Sequence, residues 1–154
     1  EARHGPTSPS VAARISARVA SRRYATSAAI WHLDQWVRGN SVPPASPAFA
    51  FDATGQLARD QYGNAEGGIR LPPIDNPMAR YQSTVCALGG VTIPLTEPEI
   101  AQIYPTHADY YARMVASTNA SVSAGFLLPE DAADLLARAC AAKNRWPGDP
   151  GADC

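Results

Sequence analysis

Apolar residues recur at i, i+3, i+4 and i+7 through Ala29, Ile30, Leu33, Trp36 and Val37, the spacing of one buried helical face. Gly39-Asn40 suits a left-handed C-terminal cap and Pro43-Pro44 forbids continuation. The pattern therefore predicts a helix of about four turns, with Tyr24 near its start and Trp31 and Trp36 as core anchors. After Pro47 the period changes. Phe49 and Phe51 alternate with Ala48, Ala50 and Asp52, Thr54-Gly55 marks a turn, and Leu57 to Asp60 can return as the second strand of a short β-hairpin. Residues 63–73 read as loop, and extended segments continue from Tyr81 to Ala87 until Gly89-Gly90 breaks them.

The last third reads as helical. Thr96 and Glu99 form a capping box before Ile100, Ile103 and Tyr104, and Pro105 stops that short helix. Thr106 and Asp109 repeat the start signal ahead of a stripe of Tyr111, Met114, Val115, Thr118 and Val122, with Gly125 as the C-terminal cap. A final helix begins near Pro129, with Glu130 and Asp131 at its positive end and Arg138 and Lys143 toward its negative end. Its inward face is Leu135, Leu136 and Ala139. No internal repeat is apparent. Three regions follow: an Arg-rich leader of uncertain placement at 1–23, a body at 24–146 and a flexible tail at 147–154.

Composition narrows the partners more than the fold. The chain has 154 residues, 45% hydrophobic and 18% charged, enough for one ordinary domain with a core. A net charge of −1 supplies no field for nucleic acid or an anionic membrane, and no apolar run approaches the roughly 20 residues of a membrane helix. The leader sets Arg3, Arg14, Arg18, Arg22 and Arg23 against the single acid Glu1, as a solvated segment or an organelle transit peptide would. The chain starts at Glu1 and not at Met, which fits a processed or truncated start. Cys86, Cys140 and Cys154 allow one disulfide with a spare thiol or three free thiols, so the compartment stays open.

Candidate chemistry is sparse. No Gly-x-Ser-x-Gly pentad occurs, and Ser121 and Ser123 fall on a predicted helix. Gly63 to Gly68 lacks the spacing of a phosphate or dinucleotide loop, and Gly67-Gly68 is better explained by a turn. The histidines His4, His32 and His107 are far apart, so no metal site is expected. His32 reads as a surface or boundary residue and His107 as a solvated or locally bonded one at a helix start. Asp52, Asp60, Asp75, Asp109, Asp131 and Asp134 sit where turns and helix starts favour Asp. No cofactor is called for.

Three blocks carry a family resemblance. Ala28 to Gly39 followed by Pro43-Pro44, Asp60-Gln61-Tyr62-Gly63-Asn64-Ala65-Glu66-Gly67-Gly68-Ile69-Arg70-Leu71-Pro72, and Leu95 to Tyr110 with Gly125 to Ala132 resemble, in order, the bacterial α/β-hydrolase domain-containing proteins. The resemblance covers about Tyr24 to Lys143. It implies the C-terminal part of an α/β-hydrolase fold, mainly helical here with a short β-hairpin and extended loops. It also implies a Ser–acid–His esterase acting on a small ester, with serine and acid upstream, so that this chain is a scaffold or pocket-covering portion, inactive alone, whose partner is the remainder of the hydrolase domain. The family's histidine precedes the helix near Tyr24, which leaves His4 as the candidate triad base, although Glu1-Ala2-Arg3-His4-Gly5-Pro6 departs from the usual Gly-x-x-His context. The rival readings are a non-enzymatic helical binding or assembly module, with Trp31, Trp36, Tyr110 and Tyr111 as a partner surface, and a metal-dependent enzyme using the three histidines.

Overall fold

The computed structural model describes the backbone of residues 11–86 and 89–154, and the side chains of 23–81 and 92–154. Helix α1 (Val11–Val37) leads into a long loop layer, then a one-turn helix α2 (Pro72–Asp75) and an antiparallel strand pair, β1 (Ala79–Cys86) and β2 (Gly89–Pro94). Three helices follow, α3 (Glu97–Ile103), α4 (His107–Ser123) and α5 (Pro129–Ala141), the last running into a 3-10 turn at Ala142–Arg145. Leu95, Ile100, Tyr104, Tyr110, Met114, Ala139 and Trp146 form the main core, where α3, α4 and α5 meet. A smaller cluster of Tyr24, Leu71, Leu127 and Leu135 holds α1 against α5.

The helix starts behave as their sequences dictate. Thr96 accepts from the Glu99 amide while Glu99 accepts from Thr96, and Thr106 and Asp109 repeat the exchange. At the far end of α4, Gly125 donates to the Val122 carbonyl and Phe126 to that of Ser121, a Schellman closure that needs the positive φ of 78° glycine supplies.

Helix α1 departs from expectation twice. It begins at Val11, so it runs through the boundary drawn between leader and body, because the Ala- and Arg-rich segment consists of strong helix formers. It also turns the other way. Tyr24 and Ala28 are buried among its described side chains and His32 and Gln35 continue that face, whereas the predicted core stripe is exposed, with Ile30 at 63%, Trp36 at 55% and Val37 at 78%. Trp31 and Trp36 are therefore surface residues and not core anchors. The inner face is set by specific bonds: the Tyr24 hydroxyl donates to Asp134 Oδ2 at 2.6 Å, Arg23 pairs with the same oxygen at 2.8 Å, and His32 Nε2 lies 2.7 Å from the Gly125 carbonyl. Apolar periodicity alone cannot see such bonds.

The predicted β-hairpin is replaced by a three-segment ring. Ala58 donates to the Ala50 carbonyl, Glu66 to that of Ala58, and Ala50 to that of Glu66, at 2.9–3.0 Å, closing a cycle of three backbone hydrogen bonds. Isolated antiparallel bridges join Phe51 to Leu57, Arg59 to Ala65 and Phe49 to Gly67, so each segment pairs with both others and no two-strand ladder extends. Two Asp-x-x-Gly turns make the corners: Asp52 Oδ1 accepts from the Thr54 and Gln56 amides, and Asp60 Oδ1 from those of Tyr62 and Asn64. Asp52-Ala53-Thr54-Gly55 and Asp60-Gln61-Tyr62-Gly63 are thus an internal echo, eight positions apart, where no internal repeat is expected. Gly89-Gly90, expected to break extended structure, instead opens β2 beside an irregularity in register between Gln82 and Cys86.

The segment 147–154, expected to be a flexible tail, is tied at several points. Cys154 forms a disulfide with Cys140, and the Ala152 amide donates to His107 Nδ1 at 2.9 Å. The bridge closes a loop of 14-residue separation, which limits the freedom of the unfolded chain. Cys154→Ser should accordingly lower unfolding stability by about 3 kcal/mol in urea; an unchanged midpoint would show that the latch carries no load. Acid should act at another joint. The Arg80 guanidinium and the Thr96 amide hold the Glu99 carboxyl down from 4.5 to about 2. A depressed folded pKa gives stability that is complete above the unfolded value and is lost as pH falls through the folded one. Thermal unfolding of the Glu99→Gln variant should therefore fall less steeply than that of the parent chain between about pH 5 and about pH 2.

Candidate functional site

The two described histidines are both committed to carbonyl oxygens. His107 is fully buried at the start of α4, its Nε2 2.9 Å from the Ala139 carbonyl and its Nδ1 accepting from Ala152. This fixes the tautomer with the proton on Nε2. Trp146 lies at 5.3 Å between ring centroids, and Tyr110 and Tyr111 also border the imidazole. The backbone amides of Gly151 and His107 together hold the Asp149 carboxyl below the usual carboxylate range. His107 is thus locally bonded but not solvated; it joins α4, α5 and the tail. His32 donates from Nε2 to Gly125, and its Nδ1 is buried without a partner among the described residues.

No nucleophile–base pair emerges from this set. Ser121 and Ser123 end α4, while His32 Nε2 and both ring nitrogens of His107 bond to backbone atoms instead. The carboxylates are similarly engaged. Asp134 takes the Tyr24 hydroxyl, which with Arg138 holds its carboxyl below the ordinary range, while Asp60 and Asp75 share Arg70. Among the described residues no three or more His, Cys, Asp or Glu side chains gather as a metal site would require. His4 lies outside the described residues.

Polar side chains converge instead where the three-segment ring meets β1. Arg70 is the hub: Nη2 reaches Asp60 at 3.0 Å, Nε reaches Asp75 at 2.8 Å, and the Ala65 and Ile74 carbonyls accept as well. Asn64, 2% exposed, accepts from the Tyr81 amide through Oδ1 at 3.1 Å and so caps the free edge of β1. Its Nδ2 finds no acceptor among the described residues. Burial pushes the Tyr81 phenol up. Between these groups lies a cavity of about 210 Å³ whose remaining walls include Phe49, Leu57, Ile69 and Ile74. Gly67 makes the closure possible: its φ is 71°, and a Cβ there would meet the Ala48 carbonyl oxygen at 2.4 Å and the Ala50 nitrogen at 2.8 Å.

A family model described as an alpha/beta hydrolase domain matches residues 2–137. The chain belongs to that family. No curated protein and no solved structure matches it. The helices and the two-stranded antiparallel sheet are compatible with part of an α/β-hydrolase fold. Within this hydrolase-family chain, Asn64, Arg70 and Tyr81 carry the site that sequence reasoning passed over. The usable signal was the repeated Asp-x-x-Gly turn followed by an arginine, inside the second block of family resemblance. No helix among the described residues is long and apolar enough to cross a membrane.

Gly67 offers a direct check of this layer. Gly67→Ala should destabilise the chain by more than about 2 kcal/mol, since the left-handed backbone alone costs about 1–2 kcal/mol and the backbone clash adds to it. Chemical denaturation measures the loss; a variant as stable as the parent would mean that the ring relaxes at no cost.

Proposed function

We infer that this chain is the scaffold and pocket-covering portion of a serine-type carboxylic ester hydrolase, and that it docks on the part of that enzyme carrying the nucleophile and acid. The observation that carries the reading is the outward face of α1. Ile30, Leu33, Trp36 and Val37 recur with helical spacing, and no element of the described chain covers them. A contiguous apolar helix face in water marks a surface built to be buried against something. Family membership supports this reading, because an α/β-hydrolase fold is a sheet with helices on its faces. The absence of a Gly-x-Ser-x-Gly pentad from the sequence supports a division of labour in which the serine lies elsewhere.

In this reading His4 acts as the triad base. It takes the proton from the serine hydroxyl as Oγ attacks the ester carbonyl, and returns it to the departing alcohol as the acyl-enzyme forms. Water then releases the acid by the same proton path in reverse. The described residues contribute position and closure and no reacting atom. A non-enzymatic assembly module is the second reading; exposure of Trp31 and Trp36 on one helix favours it, whereas Tyr110, expected on the same partner surface, is buried in the core.

Turnover of a short chromogenic acyl ester separates the two. The isolated chain should show no burst and no turnover, whereas a polypeptide joining it to the nucleophile-bearing region should hydrolyse the ester. In that longer protein His4→Ala should lower kcat/KM by about 10³-fold or more. Turnover by the isolated chain defeats the scaffold reading, and full activity of the His4→Ala enzyme defeats the assignment of His4 as the base.

A further inference from the structure

The cavity between the ring and β1 has the composition of a small-ligand site. At about 210 Å³ it is below the range of about 300 Å³ and upward that suits drug-sized ligands, so its occupant is small. Asn64 is one of its lining residues, and the side-chain amide of that residue is buried. The bond from the Tyr81 amide to Oδ1 fixes the amide orientation, so Nδ2 is a donor, and it is buried without an acceptor among the described residues. A buried donor left unmet is costly, and a ligand oxygen accepting from it would recover that cost.

Charge gives the ligand its sign. Two arginines line the cavity and no carboxylate does. Arg70 is neutralised by Asp60 and Asp75, both within 3.0 Å. Arg59 donates to the Gly63 carbonyl at 2.8 Å and pairs with no carboxylate among the described residues, so its charge is uncompensated at the rim. Tyr81 offers a phenol that stays neutral, and Phe49 and Ile74 offer apolar wall. One buried amide donor, one guanidinium and a short apolar wall match a carboxylate on a small hydrocarbon body. A phosphate would need more convergent donors, and a neutral alcohol would leave the Arg59 charge unused.

We propose that this cavity is a binding site for a short-chain monocarboxylate, its oxygens taken by Asn64 Nδ2 and Arg59 and its alkyl body laid along Phe49 and Ile74. Binding belongs to the described chain itself and does not depend on the hydrolase reading. The occupant is met as a free acid or as the acyl part of an ester, and the test distinguishes them.

The experiment titrates the full 154-residue chain with hexanoate, methyl hexanoate, 1-hexanol and hexylamine while following the Asn64 side-chain amide by two-dimensional nitrogen–proton NMR. Hexanoate should shift that amide saturably and bind at least about tenfold tighter than hexanol or hexylamine, the scale of one charge-assisted bond. Methyl hexanoate binding as tightly as hexanoate would assign the site to acyl esters and overturn the monocarboxylate proposal. Arg59→Gln, at an exposed position, should weaken hexanoate at least about tenfold with the spectrum otherwise unchanged. Ile74→Trp fills the cavity from another wall and should abolish the shift. Equal affinity for hexanol, unaltered hexanoate binding in Arg59→Gln, or no saturable shift of the Asn64 amide each overturns the proposal.

Discussion

The way α1 is seated decides what the rest of the molecule can present. Tyr24 is completely buried and its hydroxyl grips Asp134, which also takes Arg23 and Arg138. One turn further, Ala28 fits closely, and His32 anchors to the carbonyl of Gly125. Helical geometry does the remainder. With about 3.6 residues per turn, fixing 24, 28 and 32 on the inside sends 30, 33 and 37 to the outside. The apolar stripe of Ile30, Leu33, Trp36 and Val37 is therefore held in water. Helices of α/β folds are commonly used on both sides, one of them against a sheet.

This seating also explains how far the sequence could be read. Helix starts were legible, because Thr96–Glu99 and Thr106–Asp109 satisfy their own free amides with local bonds. The end of α4 at Gly125 was legible for the same reason. Burial on α4 and α5 followed periodicity in part: Met114, Thr118, Leu135 and Ala139 are inside, Tyr111, Val115, Val122 and Leu136 are half-buried, and Tyr110 and Ser121 are buried outside the predicted stripe. Periodicity failed on α1, where an intrachain polar anchor and an apolar stripe compete for the inner side and hydrophobicity cannot tell which wins. It failed again at 49–60, because three short segments bonded in a cycle have the same alternation as two strands of a hairpin. The tail failed for a long-range reason: neither the Cys140–Cys154 link nor the Ala152–His107 bond has a local signature.

The candidate site shows the same division. Asp52 and Asp60 could be recognised as turn residues, but the convergence of Asn64, Arg70 and Tyr81 depends on the ring closing against β1. His107 could be placed at a helix start, yet its burial among Tyr110, Tyr111 and Trp146 is a tertiary fact. Scaffold, latch and cavity are consequently separable features. The core of α3, α4 and α5 holds the fold, the tail locks His107, and the ring shapes a small cavity without borrowing residues from either.

Solvent access at Trp36 tests the central claim most directly. Fluorine NMR of 5-fluorotryptophan-labelled protein resolves Trp31, Trp36 and Trp146, and the solvent-isotope shift of each reports contact with water. In the isolated chain Trp36 should be accessible and Trp146 protected, as their exposures of 55% and 6% require. Joined to the nucleophile-bearing region of a hydrolase, Trp36 should lose its isotope shift while Trp146 keeps its own environment. A Trp36 that remains equally open to water in the whole, active enzyme would contradict the account.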